Sequence, residues 1–249
     1  MRYDTRPRPK GFSFARSLPA GVKWLLIVNI ALFILYYFGA RSNASQYFLL
    51  FALVPNAVIH HLAIWQLFTY MFLHDPGGFG HILFNMLTLW MFGTDLERQW
   101  GTKRFLSFYF VCGVGAGICV VLINLLFGSM DARVIGASGA IYGLLMAFGL
   151  LYPDRTLLFS FLFPIKAKYF VMILGAIAFL SSFNVNGGLS NVAHLGGMLF
   201  GYAYLKMQFQ APNLDFIGKS YRDWKLQRAK KKFQVYMRKH DSDRGNWVQ

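Results

Sequence analysis

The stretch VIGASGAIYGLL, residues 134–145, sets one serine among small residues where a long apolar run begins. Gly136, Ala137, Gly139, Ala140 and Gly143 would let a neighbouring helix approach closely. The same residues would clear space around Ser138 if it were a nucleophile. Judged on these residues alone, packing is the better explanation. Chemistry needs support from elsewhere in the chain.

Of the 249 residues, 56% are hydrophobic, 26 are Phe and 14% are charged. The apolar residues gather in long runs, which a soluble domain does not need and a membrane protein does. Six runs approach span length: residues 22–38, 79–93, 105–127, 138–152, 169–183 and 189–207. The second is entered through an apolar lead-in at 65–73. Between the fourth and fifth lies TLLFSFLFPIKAK, residues 156–168, which is short and interrupted by Pro164. It reads as a surface-hugging or strand-like connection, not a seventh span. The expected fold is an all-α, polytopic bundle of six transmembrane helices. It divides the chain into a segment 1–21, a bundle 22–207 and a basic tail 208–249.

Six spans put both termini on one side, and the charges agree. The net charge is +15, and 23 of the 25 Lys and Arg fall in the two ends and the second-to-third and fourth-to-fifth connections. Only Arg41 and Arg133 fall on the other side. The positive-inside rule then places both termini in the cytoplasm. The basic start leads into the first run without an A-x-A cleavage site, so that run reads as an uncleaved span. Cys112 and Cys119 form no metal or redox pattern and read as core residues. The tail, with KLQRAKKKF at 225–233, is expected to be helix and coil, facing solvent or anionic lipid. No nucleic-acid partner is expected.

Polar groups inside spans are costly, so each is a candidate for function. The second run opens with GHILFNMLTLW, where His81 and Asn85 are four apart and share a helical face. The fourth opens at Ser138, and the sixth carries His194 in NVAHLGGMLFGY. With six spans, runs two, four and six all descend from outside to inside. Their polar openings therefore lie at one outer depth, which packing alone does not explain.

A serine hydroxyl needs a nearby base, and a neutral imidazole suits that at physiological pH. His194 is the candidate base, with His81 as the alternative. Acyl transfer also needs donors for the developing oxyanion. Asn85, His81 and the free backbone N–H of Ser138 at a helix start can supply them. No acidic residue lies in the outer half of runs two, four or six, so a Ser–His dyad is expected, not a triad. Tyr142, one turn below Ser138, can stack on His194 and orient it. Gly139 with Gly143, and Gly197 with Gly201, both make G-x-x-x-G, the spacing for close helix contact. Such contact would bring His194 within reach of Ser138. The small residues then pack the helices, and the packing assembles the dyad.

Together, GASGAIYG (136–143), HILFN (81–85) and AHLGGMLFG (193–201) resemble the rhomboid family of intramembrane serine proteases. The resemblance covers about residues 22–207 and extends to DLERQWGTKRF and FPIKAKYF. It implies hydrolysis of peptide bonds in or near transmembrane segments of single-pass or other membrane proteins, with no metal or cofactor. It assigns Ser138 as nucleophile and His194 as base, places His81 and Asn85 around the oxyanion, and sets Tyr142 against His194. It also suggests a bacterial cytoplasmic membrane, with the site near the outer face. Many family members carry Trp-Arg in the first outer connection, whereas here Gln66 follows Trp65, which bears on that connection and on stability. His60, His61 and His74 are assigned no chemistry. Metalloprotease, aspartyl protease, α/β-hydrolase and Ser–Lys arrangements lack their required residues. The serious alternative is a non-catalytic rhomboid-like protein that binds transmembrane helices.

Overall fold

A computed structural model describes residues 18–42, 44–128, 130–159, 163–183 and 188–210, together with 225, 226, 228 and 230. The chain clusters into two units, 1–205 and 206–249. The expected tail at 208–249 falls outside the described residues, apart from 208–210 and the four isolated positions.

Helix α1, Ala20–Gly39, starts directly after Pro19 and runs through an unbroken apolar stretch. Its first amides have no intrahelical partner, and a carboxylate from another helix meets them. Glu97 accepts from the Gly21 and Val22 amides, each at 2.7 Å. The connection that follows is built of short helices: α2 (Ser45–Leu49), α3 (Pro55–His60) and α4 (Gln66–Thr69), ending in a 3₁₀ turn at Tyr70–Phe72. Gln66 fixes this connection. It is buried, it accepts from the Val54 amide at 3.0 Å, and it donates to the Leu50 carbonyl at 3.2 Å. The neutral amide has both a donor and an acceptor to offer the backbone here, whereas an arginine offers donors only.

Helix α5 (Phe79–Thr88) passes through a π turn at Leu89–Gly93 into α6 (Thr94–Trp100). The helical run therefore extends beyond the expected end at 93. Gly101, with φ +79°, ends it and starts α7 (Thr102–Phe127), the longest helix at 26 residues. Helix α8 (Ser138–Leu151) is followed by the antiparallel pair β1 (Thr156–Phe159) and β2 (Phe163–Lys166), in register from Thr156↔Lys166 to Phe159↔Phe163. The expected strand-like connection is thus a short hairpin. Helices α9 (Ala167–Ser182) and α10 (Gly188–Gln210) complete the described fold.

α7 is the inner helix. Phe105, Phe108, Tyr109, Cys112 and Ala116 along it are fully buried, as are Ala140, Leu144 and Ala147 of α8. The outer surface is the reverse of a soluble protein. Leu122, Leu126 and Phe127 of α7, and Met172 and Leu180 of α9, are all at least 52% exposed. That apolar exterior is what lipid requires. α1 and α7 are each long and apolar enough to cross a membrane, while α8 and α9 are shorter apolar helices. At about 1.5 Å per residue, α7 spans ~39 Å and α8 ~21 Å. α5 and α10 carry the polar residues of interest and do not reach the same hydropathy.

Candidate active site

Ser138 is the first residue of α8, and the turn before it is held in three ways. Leu53 and Val134 exchange both backbone hydrogen bonds, at 3.0 and 2.9 Å. The Gly136 amide donates to the Tyr70 carbonyl at 2.9 Å. Gly136 itself takes φ +123°, a conformation that side chains rarely adopt. A Cβ there would stand 2.9 Å from Cε1 and Nε2 of His81 and 3.9 Å from the Asn85 amide nitrogen. The glycine therefore lets the His81 and Asn85 side chains lie against the backbone that leads into Ser138.

The first intrahelical bond of α8 runs from the Ile141 amide to the Ala137 carbonyl at 3.1 Å. The Ser138 amide precedes that ladder, as helix geometry requires. It is one of the donors available at the turn.

His194 comes from the second turn of α10, and its Nε2 lies 2.9 Å from Ser138 Oγ. The ring of Tyr142 stacks on it, with centroids 4.0 Å apart and planes 3° from parallel. Nδ1 of His194 is buried without a hydrogen-bond partner among the described residues. For Nε2 to accept from the serine hydroxyl, the ring proton must sit on Nδ1. Among the described residues no carboxylate holds it there, so the flat contact with Tyr142 and the helix packing carry the orientation.

That packing is close. Gly197 of α10 sits against the carbonyl of Gly139, and a Cβ on Gly197 would collide with it. A Cβ on Gly143 would stand 2.5 Å from Cys112 Sγ and 3.1 Å from the Gly197 carbonyl. A Cβ on Gly201 would lie 3.1 Å from Gly143 Cα. The four glycines thus mark one interface where α8 and α10 meet backbone to backbone. Ala193 closes the same seam one residue before the histidine, with its carbonyl 3.4 Å from a Cβ built on Gly139.

A cavity of about 520 Å³ opens over these residues. Ser138, His194, Tyr142, His81, Asn85 and Phe170 of α9 are among the residues that line it. Ser138, His194, Tyr142 and His81 are only partly buried, so the recess is reachable. Asn85 is buried, and its amide nitrogen lacks a hydrogen-bond partner among the described residues. Ser138, His194, Tyr142, His81 and Asn85 thus line one cavity, with the hydroxyl against an imidazole, while Gly139, Gly143, Gly197 and Gly201 form the helix seam and Gly136 leads into Ser138. No cluster of metal-binding side chains occurs among the described residues.

Two residues near the site carry no role in the sequence reading, which assigns His74 no chemistry and does not single out Tyr70. His74 is fully buried, and its ring lies 5.2 Å from that of His81. Tyr70 links the site turn to α7, with its carbonyl holding Gly136 and its hydroxyl donating to the Gly113 carbonyl at 2.7 Å. The lead-in YMFLHDPGG placed both residues just before the second run, but an apolar run gives no sign of which of its polar atoms turn inward.

A family model described as the Rhomboid domain matches residues 61–211. The chain is 29% identical over 202 residues to "Rhomboid protease GluP" of Bacillus subtilis (strain 168), covering 81% of this chain and 37% of that protein. It is 33% identical over 133 residues to "Rhomboid protein 1, mitochondrial" of Saccharomyces cerevisiae, covering 51% and 37%. It is 34% identical over 156 residues to "RHOMBOID-like protein 1" of Arabidopsis thaliana, covering 61% and 36%. The chain therefore spans little more than a third of the length of these relatives.

Proposed function

The chain belongs to the rhomboid family of integral membrane proteins, and on that premise we propose that it is an intramembrane serine endopeptidase working through a Ser138–His194 dyad. The observation that carries the proposal is the 2.9 Å contact between Ser138 Oγ and His194 Nε2 inside a reachable cavity. A non-catalytic helix-binding protein has no need of that contact. It also has no need of an aromatic ring stacked flat on the histidine.

The chemistry follows from the atoms in place. Ser138 Oγ adds to the carbonyl carbon of the scissile peptide bond as His194 Nε2 takes the hydroxyl proton. The carbonyl oxygen becomes an oxyanion. Donors for it are the Ser138 amide, the Asn85 side chain and His81. Collapse of this intermediate breaks the C–N bond, and His194 returns its proton to the leaving amine. Water then attacks the acyl-serine. Its proton goes to His194 and then back to Oγ as the new carboxyl end departs. No metal or cofactor enters.

The proposed topology has six spans: α1, the run from α5 through α6, α7, α8, α9 and α10. Both termini are cytoplasmic, and the site lies near the outer face. The bundle covers 22–207, between an N-terminal segment 1–21 and a basic tail 208–249. A bacterial cytoplasmic membrane is the proposed location. Because α8 spans only ~21 Å against a hydrocarbon core of about 30 Å, Ser138 sits below the outer surface. Substrates are transmembrane segments that enter from the lipid and unwind locally. An intact helix hides its carbonyls in its own hydrogen bonds, while extended backbone presents them.

The test uses purified protein in liposomes with a fluorescently labelled transmembrane substrate. Wild type is expected to cleave it and to be labelled by a fluorophosphonate on Ser138. Ser138→Ala and His194→Ala are expected to lose both activities. Cleavage that survives Ser138→Ala, or a wild-type protein that neither cleaves nor labels, would overturn the proposal.

A further inference from the structure

Arg104 is a cation without a counter-ion. It is the third residue of α7, and its guanidinium carbon lies 5.1 Å from the ring centroid of Trp100, the last residue of α6. Its Nε is buried and has no hydrogen-bond partner among the described residues. None of the ion pairs among those residues uses it. Glu97, the acid closest to it in sequence, is taken up by the Gly21 and Val22 amides and the Thr102 hydroxyl. A guanidinium stays charged at physiological pH, so one set against protein without a partner calls for an anion.

Hydroxyls lie close by. Trp100 meets Phe108 edge-on at 5.1 Å, and Phe108 meets Tyr204 of α10 edge-on at 5.2 Å. The Tyr204 hydroxyl lies 3.5 Å from Ser107 Oγ, an exposed contact too long to engage either group fully. Arg104, Ser107, Val111 and Ile118 recur at helical spacing, so they share one face of α7. Val111 and Ile118 are 38% and 37% exposed. The face therefore starts with a cation and a hydroxyl and continues as an apolar strip. At about 1.5 Å per residue, Ile118 stands ~21 Å along the helix from Arg104, further than the ~15 Å that one leaflet's hydrocarbon occupies.

We infer that this nook, where α7 begins beside the end of α10, binds one anionic phospholipid of the inner leaflet. The Arg104 fork takes two phosphate oxygens, and the Ser107 and Tyr204 hydroxyls donate to the head group. Trp100 lies at the interface, where its amphipathic ring is suited. An acyl chain follows Val111 and Ile118, which is what selects a lipid over a free phosphate. Basic pockets between spans on the cytoplasmic side take anionic head groups in this manner. The inference uses the proposed topology only to assign the leaflet and does not use the protease reading.

The test titrates the full chain in detergent micelles with phosphatidylglycerol, phosphatidylcholine or inorganic phosphate, and counts bound lipid by native mass spectrometry. Micelles have no leaflets, so the result does not depend on the topology. Wild type should retain one phosphatidylglycerol in preference to phosphatidylcholine, and it should melt higher when that lipid is bound. Arg104→Gln should weaken the binding about tenfold or more, the loss of a charge-assisted hydrogen bond. Arg104→Lys keeps the charge without the fork and should fall between. Tyr204→Phe should weaken binding about threefold. Lys103→Gln removes the same charge from the exposed neighbouring position and should change it by less than about twofold. The basic tail is common to all variants, so any lipid it attracts cancels in the comparison.

Equal phosphatidylglycerol affinity in wild type and Arg104→Gln would overturn the inference. So would an equal loss in Lys103→Gln, which marks diffuse attraction to a basic surface. Inorganic phosphate binding with the same dependence on Arg104, and no preference among lipids, would overturn it in favour of a free-anion site. Should Arg104→Gln fail to fold, Arg104→Lys and Tyr204→Phe carry the comparison.

Discussion

Glu97 is the only glutamate in the chain, and it is buried. Its carboxylate accepts from the Gly21 amide and the Val22 amide, each at 2.7 Å, and from the Thr102 hydroxyl at 2.6 Å. It thus satisfies two of the three amides that the start of α1 leaves open after Pro19, and it ties α1 to the α6–α7 junction. A negative charge there also complements the positive end of the helix dipole. Glu97→Ala strands two backbone donors. Thr102 can turn its hydroxyl elsewhere, but the amides cannot move. At about 1–3 kcal/mol for each orphaned amide, plus a small cavity, the expected loss is about 4 kcal/mol.

Glu97→Gln keeps one acceptor oxygen, but it points an NH₂ group at a backbone N–H, so it should fall between the two at about 2 kcal/mol. For a chain of this size, 1 kcal/mol moves the melting temperature by roughly 2–4 °C. Thermal unfolding in detergent should therefore show Glu97→Ala lower by ~8–16 °C and Glu97→Gln by about half that. A Glu97→Ala protein melting within about 3 °C of wild type would refute the reasoning, because water would then be satisfying those amides.

Other substitutions test the remaining geometry. Tyr142→Phe keeps the ring on His194 and should cleave at near the wild-type rate, whereas Tyr142→Leu should lower kcat by about tenfold, read with the labelled transmembrane substrate. Gly197→Ala drives a methyl into the Gly139 carbonyl, so α8 and α10 must part, and both folding yield and fluorophosphonate labelling should collapse. Gln66→Leu strands the Val54 amide, while the Leu50 carbonyl keeps its bond from Trp65 Nε1 at 3.2 Å, and should lower stability by about 1–3 kcal/mol in a detergent melt. Asp154 is held below the usual carboxylate range by its hydrogen bonds to Lys168 and Lys166. A lowered pKa adds stability above the ordinary carboxylate range and loses it as pH falls through the folded value. Because Asp154 is well exposed, its replacement by Asn should leave a neutral-pH melt unchanged.

Much of this was legible because membrane and chemistry leave different marks on sequence. Long apolar runs announce helices, and the six expected runs all prove helical, with ends shifted by a few residues. Pro164 correctly marked a break that becomes a hairpin. Ser138, His194, His81 and Asn85 stood out because each interrupts an apolar run, and an interruption in lipid needs a reason. The spacing of Gly139, Gly143, Gly197 and Gly201 carried the helix contact. Side-chain reach across elements was not legible. Nothing in the sequence around Glu97 points to a partner, yet it caps a helix 75 residues away. Gln66 read as a departure from family pattern, yet it bonds the connection on both sides of its amide. His74 read as one loop histidine among three. Sequence periodicity reports which face of an element is buried, not which distant backbone atom a polar tip will meet.

The unsatisfied polar atoms separate what holds the fold from what serves the site. Asn29 and Asn124 are buried with an oxygen unpaired, but each donates its amide to a carbonyl one turn back, at 2.8 Å, in its own helix. These side chains are half satisfied and local, as expected of polar residues tucked into a helix. The His194 Nδ1 and the Asn85 amide nitrogen have no such local partner, and both residues line one cavity. Keeping donors unpaired in a dry interior costs stability; Glu97 and Gln66 avoid it by bonding to backbone, whereas Thr94 Oγ1, Arg104 Nε and Tyr109 Oη are unpaired among the described residues and lie outside the cavity. The expense is tolerable where a donor must be free when an oxyanion forms. What sets the top of α8 apart is that its unpaired groups line a cavity beside the Ser138–His194 contact, which the other unpaired atoms do not.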